Sequence, residues 1–310
     1  MASEARTIRF YQADVFSDRP FGGNPVAVVP DAAGLDDRVM QRIAREMNLS
    51  ETVFVFPPTD SNAAAKLRIF TPTQEIPFAG HPVVGTFYIL AALKRLTLQE
   101  PLTRVLQECN LGLFPVEITS SGGDILRVVM SQPAPQFLGR LEDVRDHFDL
   151  ARALGVSKTI LGETKFPIEM VSTGLPVLVV PIRTLTAVNS ITPNGQELME
   201  LCKRVGVNAV MVFTTVTVDP RSTVHARVFA PLLGIPEDPA TGSASGALGA
   251  YLVQNGVVQV GPVTEIVAEQ GYEIERPSRI TIQVESDDDM IKTVKVGGRV
   301  VMVIEGTLSF

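Results

Sequence analysis

The chain has 310 residues, of which 45% are hydrophobic and 20% are charged; these proportions are typical of a globular protein with a core and exclude a wholly disordered chain. The formal net charge is −7 and the basic residues are scattered. Because the sequence has no stripe of Lys and Arg residues, we expect no nucleic-acid partner. Cys109 and Cys202 have no histidine near them in sequence, which argues against a zinc site, and we expect two reduced, buried thiols.

The N-terminal segment contains no apolar stretch of the kind found in secretory signals. No uninterrupted apolar run in the chain is long enough to span a bilayer. We therefore expect a cytoplasmic protein that has no contact with a membrane.

In the first half, short runs rich in Val, Ile and Phe alternate with helical patterns. The predicted strands are Ile8–Phe16, Val26–Pro30, Thr52–Phe56, Lys66–Phe70 and Val116–Thr119. A helix is predicted over Asp36–Met47, where apolar residues recur at helical spacing. A second helix is predicted over Pro82–Leu96, and its apolar character on all sides indicates that it is buried.

The second half follows the same plan. The predicted strands are Val177–Pro181, Ala209–Thr214, Val224–Phe229, Ile280–Val284 and Val300–Ile304, and the predicted helices are Gln196–Val205 and Ala244–Gln254.

An internal repeat relates the two halves. Arg68-Ile-Phe-Thr-Pro72 matches Arg227-Val-Phe-Ala-Pro231, and the offset that carries position 68 onto position 227 also carries Ile76-Pro77 onto Ile235-Pro236. After a short insertion, Gly80-His81 falls on Gly242-Ser243. The alternative is a chance similarity of strand, proline and helix signals, but several blocks keep their order.

The repeat predicts an α+β fold of two pseudo-symmetric lobes, each with a central helix that enters its sheet. We expect an N-terminal lobe over residues 1–135 and a C-terminal lobe over 136–310. The boundary should fall near Pro133–Arg140, or slightly later in the charged stretch Glu142–Asp149. The final strand could return to the N-terminal lobe.

The residues before the two central helices are candidates for binding an anion. Phe78-Ala-Gly80-His81-Pro82 precedes the first helix, and Glu237-Asp238-Pro-Ala-Thr-Gly242-Ser243-Ala244 precedes the second. The first N–H groups of a helix have no internal partner and carry its positive dipole end, which attracts carboxylate or phosphate. Two such starts facing one cleft would hold a small anionic substrate, whereas each glycine alone could be only a tight turn.

Glu51 is the candidate acid/base, because it stands at the entry to a predicted strand, where a carboxylate can reach a cleft. Its alternative is a solvated turn residue. His81 could donate to the substrate or carry a proton, or could only cap its helix. Asp238 could accept from a substrate hydroxyl or amine, or only turn the chain, and Ser243 could bind substrate or cap its helix.

Several common signatures are absent from the sequence. There is no Walker loop, zinc-protease helix, Gly-x-Ser-x-Gly elbow or strand-linked Gly-x-Gly-x-x-Gly motif. We therefore expect no metal and no cofactor. His147, in a charged stretch, and His225, in a strand, are expected to be structural.

Blocks over nearly the whole chain resemble the PhzF-like family of phenazine biosynthesis. They are Asp14-Val-Phe-Ser-Asp-Arg-Pro-Phe-Gly-Gly-Asn24-Pro25, Asn48-Leu-Ser-Glu51-Thr, Phe70-Thr-Pro-Thr-Gln-Glu75, Phe78-Ala-Gly80-His81-Pro82, Phe229-Ala-Pro231, Glu237-Asp238-Pro-Ala-Thr-Gly242-Ser243-Ala244, Glu269-Gln-Gly271 and Arg276-Pro-Ser278. The sequence departs from the pattern at Pro82-Val83-Val84, where family members often have other small residues.

The resemblance implies the diaminopimelate-epimerase-like fold, in which each of two similar lobes is a β-sheet wrapped around a central helix. It also implies a site between the two lobes and a homodimer. It also implies that Glu51 transfers the proton and that His81, Asp238 and Ser243 belong to the site. Members that act in phenazine synthesis isomerise trans-2,3-dihydro-3-hydroxyanthranilate, and many others have no assigned substrate.

The epimerases of this fold use one cysteine at each central-helix start, and here those places hold Gly80-His81 and Gly242-Ser243. Aligning Phe56 with Phe213 places Asn208 opposite Glu51, so the carboxylate has no twin. A single base suggests an isomerase that removes and returns a proton on one face of a small carboxylate. The alternatives are a racemase or epimerase that pairs Glu51 with His81 or Asp238, and a non-catalytic binding protein for small carboxylates.

Overall fold

The computed structural model describes residues 6–287 and 290–310. The chain divides into two compact units. The first contains the residues up to Ser131 together with Gly297–Phe310, and the second is Gln132–Val296. The lobe limits 1–135 and 136–310 stay a prediction beside this division.

The elements follow one another in two similar series. Up to Ser131 they are β1 (Thr7–Val15), β2 (Asn24–Val29), α1 (Asp37–Met47), β3 (Glu51–Phe56), β4 (Ala63–Phe70), β5 (Glu75–Ile76), α2 (His81–Ala92), β6 (Leu102–Cys109), β7 (Gly112–Ser121) and β8 (Asp124–Ser131). From there they are β9 (Gln136–Arg140), α3 (Val144–Leu154), α4 (Lys158–Leu161), β10 (Glu169–Ser172), β11 (Pro176–Pro181), α5 (Leu185–Asn189), α6 (Gly195–Val205), β12 (Ala209–Thr214), β13 (Val224–Ala230), β14 (Ile235–Asp238), α7 (Gly242–Gln254), β15 (Val263–Gln270), β16 (Ser278–Asp287), β17 (Met290–Gly298) and β18 (Val300–Ser309).

The first unit is a sheet wrapped around α2. Its strands follow the order β18, β1, β2, β3, β4, β6, β7, β8, in which β2–β3 and β4–β6 are parallel and the other neighbours are antiparallel. Helix α2 contacts strands at both ends of this order. It is apolar throughout and its residues are almost all buried, as predicted. Gly85 allows the close approach, because a Cβ there would lie 2.5 Å from Val26 Cγ1.

The second unit repeats this arrangement around α7. Its strands follow the order β9, β10, β11, β12, β13, β15, β16, in which β11–β12 and β13–β15 are parallel and the other neighbours are antiparallel. Helix α7 contacts β10, β11, β15 and β16. The two series have the same order of parallel and antiparallel pairs, so the predicted pseudo-symmetric α+β fold is confirmed.

The repeat extends to individual hydrogen bonds. The carboxylate of Glu108 accepts from the backbone amides of Thr59 (2.6 Å) and Asp60 (3.1 Å). The carboxylate of Glu269 accepts from those of Val218 (2.5 Å) and Asp219 (3.0 Å). The donors in the two units are related by the same offset as the arginine blocks (59 to 218, as 68 to 227), so chance similarity does not explain the repeat.

The strand register corrects one residue match made from sequence. Ile76 pairs with Ile69 in the first unit, and Asp238 pairs with Val228 in the second. Since the repeat carries Ile69 onto Val228, Ile76 corresponds to Asp238, and the match of Ile76-Pro77 to Ile235-Pro236 is wrong. The insertion lies in the turn that follows β13. Proline and glycine residues in this turn made its length impossible to align from sequence.

The register also corrects the residue opposite Glu51. Thr52 pairs with Phe70 across β3 and β4, and Val210 pairs with Phe229 across β12 and β13. Since the repeat carries Phe70 onto Phe229, Thr52 corresponds to Val210. The counterpart of Glu51 is therefore Ala209 rather than Asn208. The conclusion that Glu51 has no carboxylate twin is unchanged, because alanine cannot transfer a proton.

Helix α2 ends at Ala92, one turn earlier than predicted. The helical pattern continues to Leu96, but Lys94 adopts a left-handed conformation with φ of 57°. The amide of Lys94 donates to the Ala91 carbonyl and that of Arg95 to the Leu90 carbonyl, which closes the helix end. In the part of the chain that the structure describes, no helix is long and apolar enough to cross a membrane.

Candidate active site

The start of α2 carries two of the predicted site residues. Gly80 is the N-cap, His81 is the first helical residue, and Pro82 occupies a first-turn position where its missing N–H costs nothing. Glycine has no side chain to cap the helix, so the positive end of the dipole is left for another acceptor. The predicted helix start at Gly80-His81 is confirmed.

Glu51 and His81 lie side by side. Glu51 opens β3, and its Oε2 is 3.3 Å from Nε2 of His81. The side chains are only 12% and 7% exposed, so Glu51 is not the solvated turn residue that was the alternative. Both groups belong to the first unit. The family resemblance placed both in the site, but neither spacing nor periodicity in the sequence indicated their direct contact.

Burial decides the charge of His81. Removal of the imidazole from water lowers the pKa of His81 to about 3, against the opposing effect of a hydrogen bond to the backbone of Pro25. The contact with Glu51 is therefore between a carboxyl group and a neutral imidazole, not an ion pair. Proline has only a carbonyl to offer, so the imidazole donates to Pro25 and carries its hydrogen on that side.

The turn that leads into Pro25 is fixed by the Asp14–Asn24 block. The backbone amide of Phe21 donates to Asp14 Oδ2 (2.7 Å), and Phe21 itself has a positive φ of 69°. Gly23 also has a positive φ, and a Cβ there would lie 2.1 Å from the Val15 carbonyl oxygen. Ser50, next to Glu51, donates to Asn24 Oδ1 (3.3 Å). This sequence block therefore supports the backbone around Glu51 and His81.

The second unit places Asp238 directly before α7. Asp238 ends β14 and is 6% exposed. Its Oδ2 accepts a hydrogen bond from the hydroxyl of Thr241, the N-cap residue of α7. Because the Thr241 hydroxyl points to Asp238, it does not cap the helix, and the first turn of α7 is left without a side-chain cap.

Two buried polar residues hold the first turn of α7 from its other side. Gln132 Nε2 donates to the Gly242 carbonyl (3.2 Å), and Thr173 Oγ1 donates to Gln132 Oε1 (2.6 Å) and contacts the Ser243 carbonyl (3.2 Å). Gly242 is the first residue of α7 and Ser243 the second. The helix begins two residues before its predicted start at Ala244. The roles of Gly242 and Ser243 in binding stay a prediction.

The structure thus brings Glu51, Gly80 and His81 together in the first unit, and Asp238, Gly242 and Ser243 together in the second. The expectation that both groups face one cleft stays a prediction.

Sequence reasoning missed two matched ion pairs. Arg68 binds both carboxylate oxygens of Glu75 (2.8 and 2.6 Å), and Arg227 binds both oxygens of Glu237 (2.9 and 2.8 Å). Each pair ties the short strand before a central helix to the strand beside it. The arginine repeated in the matched blocks was the available signal. The glutamate that it binds does not stand at the same spacing in both units, because the insertion lies between Arg227 and Glu237.

His225 was expected to be structural, and its contacts are extensive. It is fully buried in β13, with Nδ1 2.8 Å from Glu269 and Nε2 2.8 Å from Glu273. His147 is partly buried in α3, where Nε2 contacts the Leu141 carbonyl (2.6 Å).

Neither cysteine stands at a central-helix start. Cys109 and Cys202 are both buried free thiols. Burial raises the pKa of both, that of Cys202 to about 11, so neither is an activated nucleophile. Among residues 6–287 and 290–310, no group of three His, Cys, Asp or Glu side chains is arranged to hold a metal ion.

Comparison with known proteins decides the family. Residues 13–306 match the family of phenazine biosynthesis-like proteins, PhzC-PhzF. The chain belongs to this family. A relative of this PhzF-like chain is an uncharacterized isomerase of Clostridium acetobutylicum, with 36% identity over 98% of each chain. Another is the trans-2,3-dihydro-3-hydroxyanthranilate isomerase of Pseudomonas chlororaphis, with 36% identity over 95% of this chain and 97% of the relative.

Solved structures agree with this assignment. A PhzF-family phenazine biosynthesis protein of Bacillus anthracis has a TM-score of 0.88 and 30% identity, covering 98% of this chain and 99% of that one. A hydroxyproline epimerase of Agrobacterium vitis has a TM-score of 0.68 at 14% identity, covering 98% and 91% of the two chains, and shares the fold alone. The fold is therefore the epimerase-like fold that the sequence predicted, and this PhzF-like chain is an isomerase.

Proposed function

We propose that this isomerase moves a proton on a small carboxylate substrate of the dihydro-hydroxyanthranilate type, with Glu51 as the general acid and base. The observation that carries the proposal is the 3.3 Å contact between Glu51 Oε2 and Nε2 of a neutral, buried His81. The substrate class comes from the relatives that isomerise trans-2,3-dihydro-3-hydroxyanthranilate.

The protonation of the pair supports this role. With the hydrogen of His81 directed to Pro25, the nitrogen that faces Glu51 presents a lone pair. A lone pair and a carboxylate oxygen at this distance repel each other, so the arrangement favours one proton held between them. Glu51 would deliver that proton to one carbon of the substrate and remove another from a neighbouring carbon. A neutral histidine serves this purpose because it accepts a hydrogen bond from the protonated carboxyl group without removing its proton.

The remaining site residues would bind rather than transfer protons. The open first turns of α2 at Gly80 and of α7 at Gly242 and Ser243 suit the carboxylate of a small anion. Asp238, held by Thr241, would orient a hydroxyl or amino group of the substrate. The counterpart of Glu51 in the repeat is Ala209, which supports single-base isomerisation over a racemase with two opposed carboxylates.

The test is substitution of Glu51 by Gln, which keeps the shape of the side chain and removes the transferable proton. We would incubate the protein with trans-2,3-dihydro-3-hydroxyanthranilate in heavy water and follow product and deuterium content by mass spectrometry. Loss of the only general acid and base should slow both by at least about 1,000-fold. Glu46→Gln, an exposed change on α1, is the matched control and should behave like the parent protein.

Two results would contradict the proposal. One is a Glu51→Gln variant that turns over and exchanges deuterium at more than about a tenth of the parent rate. The other is a parent protein that binds the compound but neither converts it nor exchanges its hydrogens.

A homodimer and a cytoplasmic location are also part of the proposal. The dimer is supported by the family resemblance, and light scattering after gel filtration would measure it. The location is supported by two cysteines that are buried thiols and not a disulfide, and cell fractionation would measure it.

A further inference from the structure

The side chain of Gln270 makes three hydrogen bonds to the segment that carries Asp238. Gln270 is the last residue of β15 and is fully buried. Its Nε2 donates to the Asp238 carbonyl (2.6 Å) and to Thr241 Oγ1 (3.1 Å), and its Oε1 accepts from the Thr241 amide (3.2 Å). The amide thus spans the turn from Asp238 to Thr241 and binds both ends.

These contacts set the direction of the Thr241 hydroxyl. A hydroxyl has one hydrogen to donate, and Gln270 Nε2 can only donate. Once Nε2 occupies a lone pair of Thr241 Oγ1, the hydroxyl hydrogen is free to point to Asp238 Oδ2, where the hydrogen bond is found. Gln270 therefore acts on the Asp238 carboxylate through Thr241.

Gln270 is itself held firmly. The hydroxyl of Ser278 contacts the Gln270 carbonyl (3.1 Å) and the Pro239 carbonyl (3.2 Å). The next residue, Gly271, has a positive φ of 79°, and a Cβ there would lie 2.4 Å from the Arg276 oxygen and 2.5 Å from the Pro239 oxygen. The Glu269-Gln-Gly271 and Arg276-Pro-Ser278 blocks of the sequence thus fasten the turn before α7.

The internal repeat separates this role from general support of the fold. Glu108 and Glu269 occupy matching places in the two units and make matching bonds. At the next position along the chain, Cys109 stands in the first unit where Gln270 stands in the second. Asp238 likewise has Ile76 as its counterpart. The first unit forms the same sheet with a cysteine in place of this glutamine, so the fold does not require the amide. The glutamine is present only in the unit that also has the aspartate.

We propose that Gln270 is a positioning residue for the reaction, which aims Asp238 through Thr241 and sets the first turn of α7. This rests on the proposed function, in which Asp238 orients the substrate. A displacement of about 1 Å in an orienting group can lower a rate by about 100-fold, so removal of the amide should be felt in kcat.

The experiment compares Gln270→Met, Thr241→Val and the double variant, with kcat and KM measured on trans-2,3-dihydro-3-hydroxyanthranilate. Each single change should lower kcat by about 100-fold, and the double variant should lose little more, because both changes break the same chain of hydrogen bonds. Thr241→Ser keeps the hydroxyl and should stay within about 3-fold of the parent kcat. Gln107→Met, at another fully buried glutamine, is the matched control and should leave kcat unchanged.

Hydrogen exchange of the same variants, followed by mass spectrometry, gives a readout that does not need activity. Gln270→Met should speed amide exchange in residues 238–243 while β15 and the rest of α7 stay protected. Unchanged exchange in residues 238–243 overturns the inference, and so does a Gln270→Met variant with full kcat or a double variant whose losses multiply. A parent protein inactive on the compound would refute the proposed function, and the exchange result would then decide the positioning role alone.

Discussion

His81 should make the protein sensitive to acid, and replacing it by Asn should remove that part of the sensitivity. Asn can still donate to the Pro25 backbone but cannot titrate. Burial lowers the pKa of His81 from 6.5 to about 3 in the folded chain. The folded state therefore stays neutral at pH values where the unfolded chain takes up a proton, and stability falls as the pH drops from 6.5 towards 3.

The slope of this loss is about 1.4 kcal/mol per pH unit. Between pH 6.5 and 5 it amounts to about 2 kcal/mol of the free energy of unfolding. Urea unfolding followed by far-ultraviolet circular dichroism measures it, since the chain contains no tryptophan. Whatever the cost of His81→Asn at pH 7.5, the difference between parent and variant should shift by about 2 kcal/mol in favour of the variant at pH 5.

His147→Asn is the control, because His147 is partly buried and lies far from the α2 start in sequence. This variant keeps His81 and should therefore keep the loss of about 2 kcal/mol between pH 7.5 and 5 that depends on it. If the parent and His81→Asn lose stability in parallel between pH 7.5 and 5, the argument that burial keeps His81 neutral is refuted.

Three further predictions concern stability. Arg227→Met should destabilise by about 3–5 kcal/mol in urea unfolding, because it leaves the nearly buried Glu237 without its cation. Gly249→Ala should cost about 1–3 kcal/mol in the same assay, since the new Cβ would lie 2.5 Å from Ile282 Cγ2. Burial opposes the charge on His225, but hydrogen bonds to two glutamates raise the pKa of His225 to about 9. The protonated histidine therefore stabilises the folded state, and this contribution is complete below pH 6.5. About 3 kcal/mol of the free energy of unfolding should be lost as the pH rises through 9.

Each of these has a matched comparison. Arg95→Met breaks the exposed pair with Asp31 and should cost less than about 1 kcal/mol. Gly195→Ala adds a Cβ where no atom lies within 4 Å and should be close to neutral. His225→Gln should weaken the alkaline transition while His147→Gln leaves it in place. Equal losses of stability in Arg227→Met and Arg95→Met would contradict the argument from burial of the ion pair. Equal losses in Gly249→Ala and Gly195→Ala would contradict the argument from close packing. An unchanged alkaline transition in His225→Gln would contradict the argument from the two glutamates.

The elements that carry the site were predictable because their signals are local. A run of apolar residues after Gly80-His81-Pro82 specifies a buried helix and its start, and the same holds for α7 after Gly242. The matched Arg68 and Arg227 blocks were enough to reveal the repeat and hence the fold. Such patterns depend on spacing within a single element, which the sequence displays directly.

The side-chain contacts within the candidate active site were not predictable from the sequence. The approach of Glu51 to His81 depends on the parallel pairing of β2 with β3 and on the path of α2, neither of which has a local signature. The bonds from Gln270 to Asp238 and Thr241 depend on β15 running parallel to β13. The mismatch of Ile76 with Ile235 has the same cause, since only strand register could locate the insertion.

The pairing of β18 with β1 has a consequence for synthesis on the ribosome. Strand β1 begins at Thr7, yet its neighbour β18 ends at Ser309, so β1 must wait until β18 has been synthesised before it can pair with that strand. The unit Gln132–Val296 is continuous in the chain, so all its residues have been synthesised before β18 is complete. The unit Gln132–Val296 is therefore the first able to finish folding, and the unit that bears Glu51 can finish only after β18 has been synthesised.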